Sequence, residues 1–479
     1  MSTLTCVLHL GTNNIRAAVA WRDELGHGQV VAVERIETTG CIRHGCVSSV
    51  DEASGHIKKL MQKLQNRLRN AASTEPSAEL SQALQRVTID RVYIGLSGMS
   101  LRTLPHDPSV QLPEDATVTA ELQNRLLEES LHLPLDGVDV LEAVAAGYSI
   151  DGVPTSQPIG CPCTTLTAHH SLIVAEPRLR QGMTTAAERA GLKVAGYLTE
   201  PLALAEILKD NERRDGCVLL NVGAGTTTLM VYADGGLRHL AVIPLGSDTV
   251  TQDIMTKGVS HDEAELMKRL WGNVSSEAEA STTQETPYWS AKRRLSLGEL
   301  NSVMTCRYEE ILANVVHQLE LAGYEPHELA GGCVLTGGGA QQKGLVALTR
   351  RRVGFGSVVV RSFTGLSYNG QEPYYAGLLA MLRLASEDCR LVVAPPQPAE
   401  ASAPTPQPEP THRPAPQPKE PTVEAAPVKP ASASQPAERT DSAPGRKGRD
   451  GMRRRISGFI EDLFSGQDNE SEKTTHTHS

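Results

Sequence analysis

Phenylalanine is almost missing from this sequence, with four in 479 residues. No apolar run approaches the roughly 20 residues that cross a bilayer, and no apolar segment follows a basic N-terminus, so the body of the chain is expected to stay in the cytoplasm. Positive charge is not in excess. Lys and Arg number 46 against 56 Asp and Glu, and the formal net charge of -10 argues against a nucleic-acid partner. The nine cysteines (Cys6, Cys41, Cys46, Cys161, Cys163, Cys217, Cys306, Cys333, Cys389) are odd in number and scattered, several in strand-like runs, and read as reduced core residues. Cys161-Pro162-Cys163 has the wrong spacing for a redox or zinc pair, so no metal site is expected. His169 and His170 read as structural.

Two of the four phenylalanines, Phe459 and Phe464, fall in one segment near the C-terminus. There Ile456, Phe459, Ile460, Leu463 and Phe464 follow the i, i+3, i+4, i+7, i+8 spacing of one helical face. Arg453, Arg454 and Arg455 precede that face, in a stretch that also holds Arg446, Lys447 and Arg449 against a single Asp450. A basic flank with an aromatic-rich apolar face too short to span predicts a helix lying in the interface of an anionic membrane. Docking on the body or on a partner is the alternative. Upstream, between Ala394 and Gly445, proline recurs with Ala, Gln, Glu and Ser. That composition stays solvated, with an r.m.s. reach of roughly 40 Å for about fifty residues.

From Met1 to about Arg390, β-branched runs alternate with amphipathic helical patterns, which argues α/β architecture. Three strand-like runs, Thr5 to Val19, Val218 to Tyr232 and Cys333 to Ala340, each meet a small-residue turn. In the first two the apolar run resumes after the turn, so each reads as a hairpin whose tip offers backbone N–H groups to an anion. The third opens a helix, and its glycines let a nucleotide approach the backbone.

In this order the three turns resemble the actin-like ATPase superfamily: two phosphate hairpins and an adenosine loop. Gly235 to Gly246, Val250 to Ile254, Ala264 to Lys268, Val334 to Gly339 and Gln371 to Gly377 resemble the bacterial cell-division FtsA family, which also carries a linker and an amphipathic membrane-targeting helix. The resemblance implies an actin-like two-domain fold with a nucleotide cleft and an inserted small α+β subdomain. The expected divisions are 1–85 for the first part of domain 1, 86–164 for the insert (including the strand Arg91 to Gly98 and a helix from about Ala120 to Leu131), and 165–200 for domain 1 continued. Domain 2 with a partner-binding tip follows at 201–344, and 345–390 returns to domain 1. A linker (391–450), the membrane helix (451–466) and a disordered tail (467–479) complete the chain.

The resemblance implies ATP contacts from Gly11, Thr12, Asn13, Asn221, Gly223, Gly225, Thr226, Thr227, Gly337, Gly338 and Gly339, with Glu265 and Lys268 at the adenosine. Where the superfamily places Mg²⁺-site aspartates, this chain has His9, Asn221 and Thr228. Histidine is a poor Mg²⁺ ligand and asparagine lacks the charge, so Mg²⁺ is expected to bind weakly if at all, with hydrolysis slow or absent and no catalytic residue assigned. A fold that has lost nucleotide binding is the alternative. Arg307, with Glu310 beside it, matches the family's contact with the C-terminal peptide of the tubulin-like protein FtsZ, and a guanidinium fork suits an acidic peptide. The expected function is a peripheral membrane adaptor that binds ATP, self-associates into filaments, receives later division proteins and ties the FtsZ ring to the cytoplasmic face of the plasma membrane at the septum. An actin-fold kinase or phosphatase of small molecules, and a scaffold for secretion or pilus assembly, are the rival readings.

Overall fold

Small and β-branched apolar residues fill β1 (Thr3–Leu10) and β2 (Asn14–Arg22), which pair antiparallel with β3 (Gly28–Glu37) in a meander. Seven of the eight residues of β1 are buried, so this sheet is covered on both faces. A small hairpin, β4 (Ile42–Arg43) and β5 (Cys46–Val47), leads into α1 (Val50–Thr74), where the Ser49 hydroxyl accepts from the Glu52 N–H as N-cap. Ile57, Leu60, Leu64 and Leu68 form the buried stripe of α1, which packs on β2, β3 and α2 (Ala78–Arg86). The next strand, β6 (Arg91–Leu96), runs parallel to β1.

In the computed structural model, residues 2–390 are described except 24–27, 39, 76, 115, 276–294, 367 and 369–372. The expected linker, membrane helix and tail, with Arg453, Arg454, Arg455, Ile456, Phe459, Ile460, Leu463 and Phe464, lie outside the described residues, as do Gln371 and Glu372.

An α+β segment follows β6. It contains β7 (Arg102–His106), β8 (Ser109–Gln111), α3 (Ala120–Leu131), β9 (Asp139–Ile150), β10 (Val153–Thr155) and β11 (Thr165–Ala175). Thr119 caps α3 by accepting from Leu122 N–H, and Val118, Leu126, Cys163, Leu166 and Ala168 form a small core of their own. Asp151 (φ 48) and Gly152 (φ 84) make a two-residue turn between β9 and β10. Both adjacent histidines bond within this segment, His169 to Ser149 and Asp107 and His170 to Ser130.

After α4 (Pro177–Arg189) comes β12 (Lys193–Thr199), parallel to β6, giving the first sheet the order β12-β6-β1-β2-β3. This corrects the expected insert. Its predicted strand at Arg91 lies inside the main sheet, because parallel pairing with β1 and β12 covers both of its edges, so the insert begins after Leu96. Two short helices, α5 (Glu200–Leu204) and α6 (Asp210–Asp215), lead to the second lobe. The first of them, α5, packs on the helix that closes the first lobe, Ala376–Leu384, which moves the boundary expected at 201 to beyond Leu204.

The second lobe starts with the meander β13 (Cys217–Val222), β14 (Thr227–Ala233) and β15 (Gly236–Ile243). Three helices follow: α7 (Ser247–Met255), α8 (His261–Leu270) and α9 (Leu297–Leu321), the last two opened by capping boxes, Ser260 with Glu263 and Ser296 with Glu299. Parallel to β13 runs β16 (Gly332–Thr336), then α10 (Leu345–Val353) and β17 (Val358–Val360), which is parallel to β16. Leu345, Leu348, Phe355 and Val358 join the second core, so the return to the first lobe comes after β17 and not at 345. That return is α11 (Ala376–Leu384), packed on β1, β2 and α5. A single register pair, Ala241↔Arg102, joins the second-lobe sheet to the insert, giving a ten-stranded order β10-β9-β11-β7-β15-β14-β13-β16-β17, with β8 beside β11.

Candidate functional site

The tips of the two expected phosphate hairpins meet across the gap between the lobes. Gly11 N–H donates to Asn14 O (3.0 Å) to close the β1–β2 turn, and Gly223 N–H donates to Thr226 O (2.9 Å) to close the β13–β14 turn. Gly225 lies so near Thr12 that a Cβ on it would sit 2.3 Å from Thr12 Oγ1, so glycine is what permits the approach. Two further bonds cross the gap. His44 Nδ1 donates to Gly225 O (2.8 Å), and Asn13 Nδ2 donates to Asp248 Oδ1 (3.3 Å). The carbonyls of Gly223 and Ala224 accept from Ser247 and Asp248 N–H, fixing the start of α7 to the second turn.

Thr227 does not face this gap. It is wholly buried and its hydroxyl donates to Leu245 O (2.9 Å), so that side-chain proton is already committed. Thr226 is half-buried at the turn. Gly337 adopts φ 86, and a Cβ there would fall 2.3 Å from Asn221 Oδ1, so Asn221 packs beneath the third turn. Gly339 is buried against Val222, while Gly338 lies beside the Tyr374 ring. Arg16 stacks 4.7 Å from the centroid of that ring and donates to the Tyr374 carbonyl. Sequence reasoning missed Arg16, His44, Tyr374 and Asp248.

It also missed Glu200. His9, buried at the position where the superfamily carries an aspartate, accepts at Nδ1 from Arg16 Nη2 (2.9 Å). An imidazole that accepts at Nδ1 carries its proton on Nε2, which then donates to Glu200 Oε2 (3.2 Å), with Ser97 Oγ at 3.0 Å. Burial raises the Glu200 carboxyl pKa, but His9, Arg16 and Ser97 outweigh it, and the net direction is below the usual range. The one signal in the sequence was a lone carboxylate within the apolar run Leu198-Thr199-Glu200-Pro201-Leu202. These residues do not fit a divalent cation. Both His9 nitrogens are engaged, Thr228 is buried, Asn221 Oδ1 faces Gly337, and no metal-holding cluster of His, Cys, Asp and Glu occurs among the described residues. They do suit a phosphate chain, whose oxygens would take backbone N–H groups from the two glycine-bearing turns.

Glu265 and Lys268 are brought together, but with each other. The Lys268 ammonium is buried and donates to Ser247 O (2.8 Å), Thr251 Oγ1 (2.6 Å) and Glu265. Burial lowers the Lys268 pKa while Glu265 pulls against it. All three ammonium protons are therefore taken, two by Ser247 and Thr251 on α7 and one by Glu265 on α8 itself, leaving none for the adenosine contact expected of Lys268.

Arg307 is likewise not a free cation. It forks onto Asp253 (Nε–Oδ2 2.6 Å, Nη2–Oδ1 3.0 Å) and bonds Glu310. The Asp253 bond raises its pKa further.

Comparison with known proteins agrees with this architecture. The family described as "Cell division protein FtsA" matches residues 218–380. The cell division protein FtsA of Porphyromonas gingivalis is 28% identical over 359 residues, covering 74% of this chain and 72% of the relative. That of Escherichia coli K12 is 30% identical over 318 residues, 62% of this chain and 74% of the relative. Among solved structures, a PilM-PilN type IV pilus biogenesis complex aligns with TM-score 0.52 at 15% identity, over 79% of this chain and 97% of that one, a likeness of fold alone. The fold is actin-like, and the chain belongs to the FtsA family.

Proposed function

We propose that this chain is a cell-division adaptor that binds ATP between its lobes, self-associates into filaments and ties the FtsZ ring to the cytoplasmic face of the membrane. The observation that carries the reading is the 30% identity to FtsA over 318 residues. Added to it are the three small-residue turns, which suit the phosphates and adenosine of a nucleotide. Membrane attachment is assigned to the segment from Arg453 to Phe464, whose apolar residues keep one-face helical spacing behind three arginines. Because the phosphate site has His9 and Asn221 where aspartates would hold Mg²⁺, binding depends little on Mg²⁺ and turnover is slow.

The second-lobe face around Arg307 and Glu310 takes the C-terminal peptide of FtsZ, and the insert after Leu96 takes part in filament contacts and receives later division proteins. Calorimetry with the FtsZ C-terminal peptide, together with flotation on anionic vesicles, tests this. Binding in the first and flotation lost on Phe459→Glu in the second are the expected results. Absence of peptide binding would remove FtsZ as the partner, and unchanged flotation would remove the tail as the anchor.

A further inference from the structure

We infer that His44 is a positioning residue for the phosphate chain: by holding the Gly225 carbonyl it aims the Thr226 N–H at the nucleotide. This deepens the nucleotide reading given above, on which it rests. Carbonyl oxygens at the tip of the second hairpin would repel a phosphate, so where they point matters as much as where the N–H groups do. Each of the four carbonyls from Gly223 to Thr226 is tied back to a protein donor. Gly223 O accepts from Ser247 N–H (2.9 Å), Ala224 O from Asp248 N–H (2.8 Å) and Thr226 O from Gly223 N–H (2.9 Å), all inside the second lobe. Gly225 O accepts from His44 Nδ1 (2.8 Å), so this one of the four is restrained from the first lobe.

The N–H groups of Ala224, Gly225 and Thr226 have no acceptor among the described residues. A trans peptide is planar, with its N–H and C=O on opposite sides. The Gly225 carbonyl turned to His44 therefore directs the Thr226 N–H away from the β4–β5 turn. Successive free N–H groups whose carbonyls are bound elsewhere form a nest for an anion. Without His44, the Gly225–Thr226 peptide is the member of this nest with nothing to stop its rotation, and glycine on its N-terminal side accepts either orientation.

The turn that carries His44 is built to hold the ring still. Arg43 pairs with Cys46, and His44 (φ 49) with Gly45 (φ 78) makes the two-residue tip between β4 and β5. Both have the positive φ of a type I′ turn, where asparagine and glycine are the usual pair. Histidine stands there instead, and its ring reaches the other lobe. Met99 N–H donates to His44 O (3.0 Å), and a Cβ on Gly45 would fall 2.5 Å from Ser97 O, so the turn is clamped from behind. Ser97 Oγ lies 3.0 Å from His9 Nε2, which puts the turn on the same frame as the buried His9–Glu200 pair.

The test sets ATP beside adenosine as competitors of a fluorescent ATP analogue on the full-length protein. His44→Gly deletes the donor and relieves the positive φ, so the variant should fold, as a thermal melt will show. It should weaken ATP about tenfold, the scale of one hydrogen bond, and leave adenosine within about twofold of wild type. His44→Asn tolerates φ 49 and carries Nδ2 as many bonds from the backbone as His44 Nδ1, so it should return ATP to within about threefold. Gly45→Ala keeps the ring but drives its turn off Ser97, and should weaken ATP with the same sparing of adenosine. Unchanged ATP affinity in His44→Gly, an equal loss of adenosine, or no rescue by asparagine would overturn the positioning role while leaving nucleotide binding standing. Wild-type protein that binds no ATP would sink both.

Discussion

Arg307 and Asp253 form a two-point pair across 54 positions of sequence, joining α9 to α7. An acidic peptide arriving at this face competes with Asp253 for the same fork. Asp253→Asn should therefore tighten binding of the FtsZ C-terminal peptide by about three- to tenfold, measured by calorimetry. Arg307→Ala should lose the peptide and also lower stability by about 1–3 kcal/mol, since it leaves Asp253 part-buried without its partner. Equal affinity in wild type and Asp253→Asn would place the peptide elsewhere.

Restoring an aspartate at the first hairpin is not a neutral change here. His9→Asp sets a carboxylate against buried Glu200 and removes the Nε2–H that donates to it. It should cost about 3–5 kcal/mol, as for other broken buried pairs. The double variant with Glu200→Gln should recover part of that loss in a thermal melt, as should millimolar Mg²⁺. A His9→Asp protein as stable as wild type would show that the Glu200 contact carries no weight.

Acid should expose the same pair. Glu200 titrates below its unfolded value, so its contribution is present above about pH 4.3 and is lost as pH falls through the folded pKa. Wild type should therefore exceed Glu200→Gln in stability at pH 7, and the two should converge below about pH 4 in urea unfolding series. A gap that stays constant down to pH 3 would contradict the assignment.

Closure of the hairpin tips depends on one missing methyl group. Gly225→Ala places a carbon 2.3 Å from Thr12 Oγ1 and must push the lobes apart. Affinity for a fluorescent ATP analogue should drop about tenfold or more, and small-angle scattering should report a more open body. Wild-type affinity in this variant would mean that the tips need not meet for the nucleotide to bind.

Local features were legible in the sequence. Both hairpins, the helix Ala120–Leu131 and the glycine turn at Gly337 announce themselves through apolar periodicity and small residues, because those signals act over a few positions. What could not be read was set by distant partners. The strand at Arg91 joined the first sheet through β1 and β12, roughly ninety and a hundred positions away. Glu200 was invisible because its meaning comes from His9, and Arg307 looked like a free cation because nothing near it in sequence points to Asp253. Lys268 misled for the same reason: its ammonium is satisfied by Ser247 and Thr251, on another helix.

The packing of α11 on β1 and β2 has a consequence for synthesis on the ribosome. Cys389 N–H donates to Leu4 O, and Arg390 Nη2 donates to Ser2 O, so the last described residues are stitched to the first. A nascent chain that has already made β1 and β2 must wait for about 360 further residues before the helix that covers them is complete. At roughly 5–20 residues per second this is about 20 to 75 s with an apolar sheet face uncovered. The first lobe to be translated is thus the last to be completed, and the interval is one in which a chaperone would find its natural substrate.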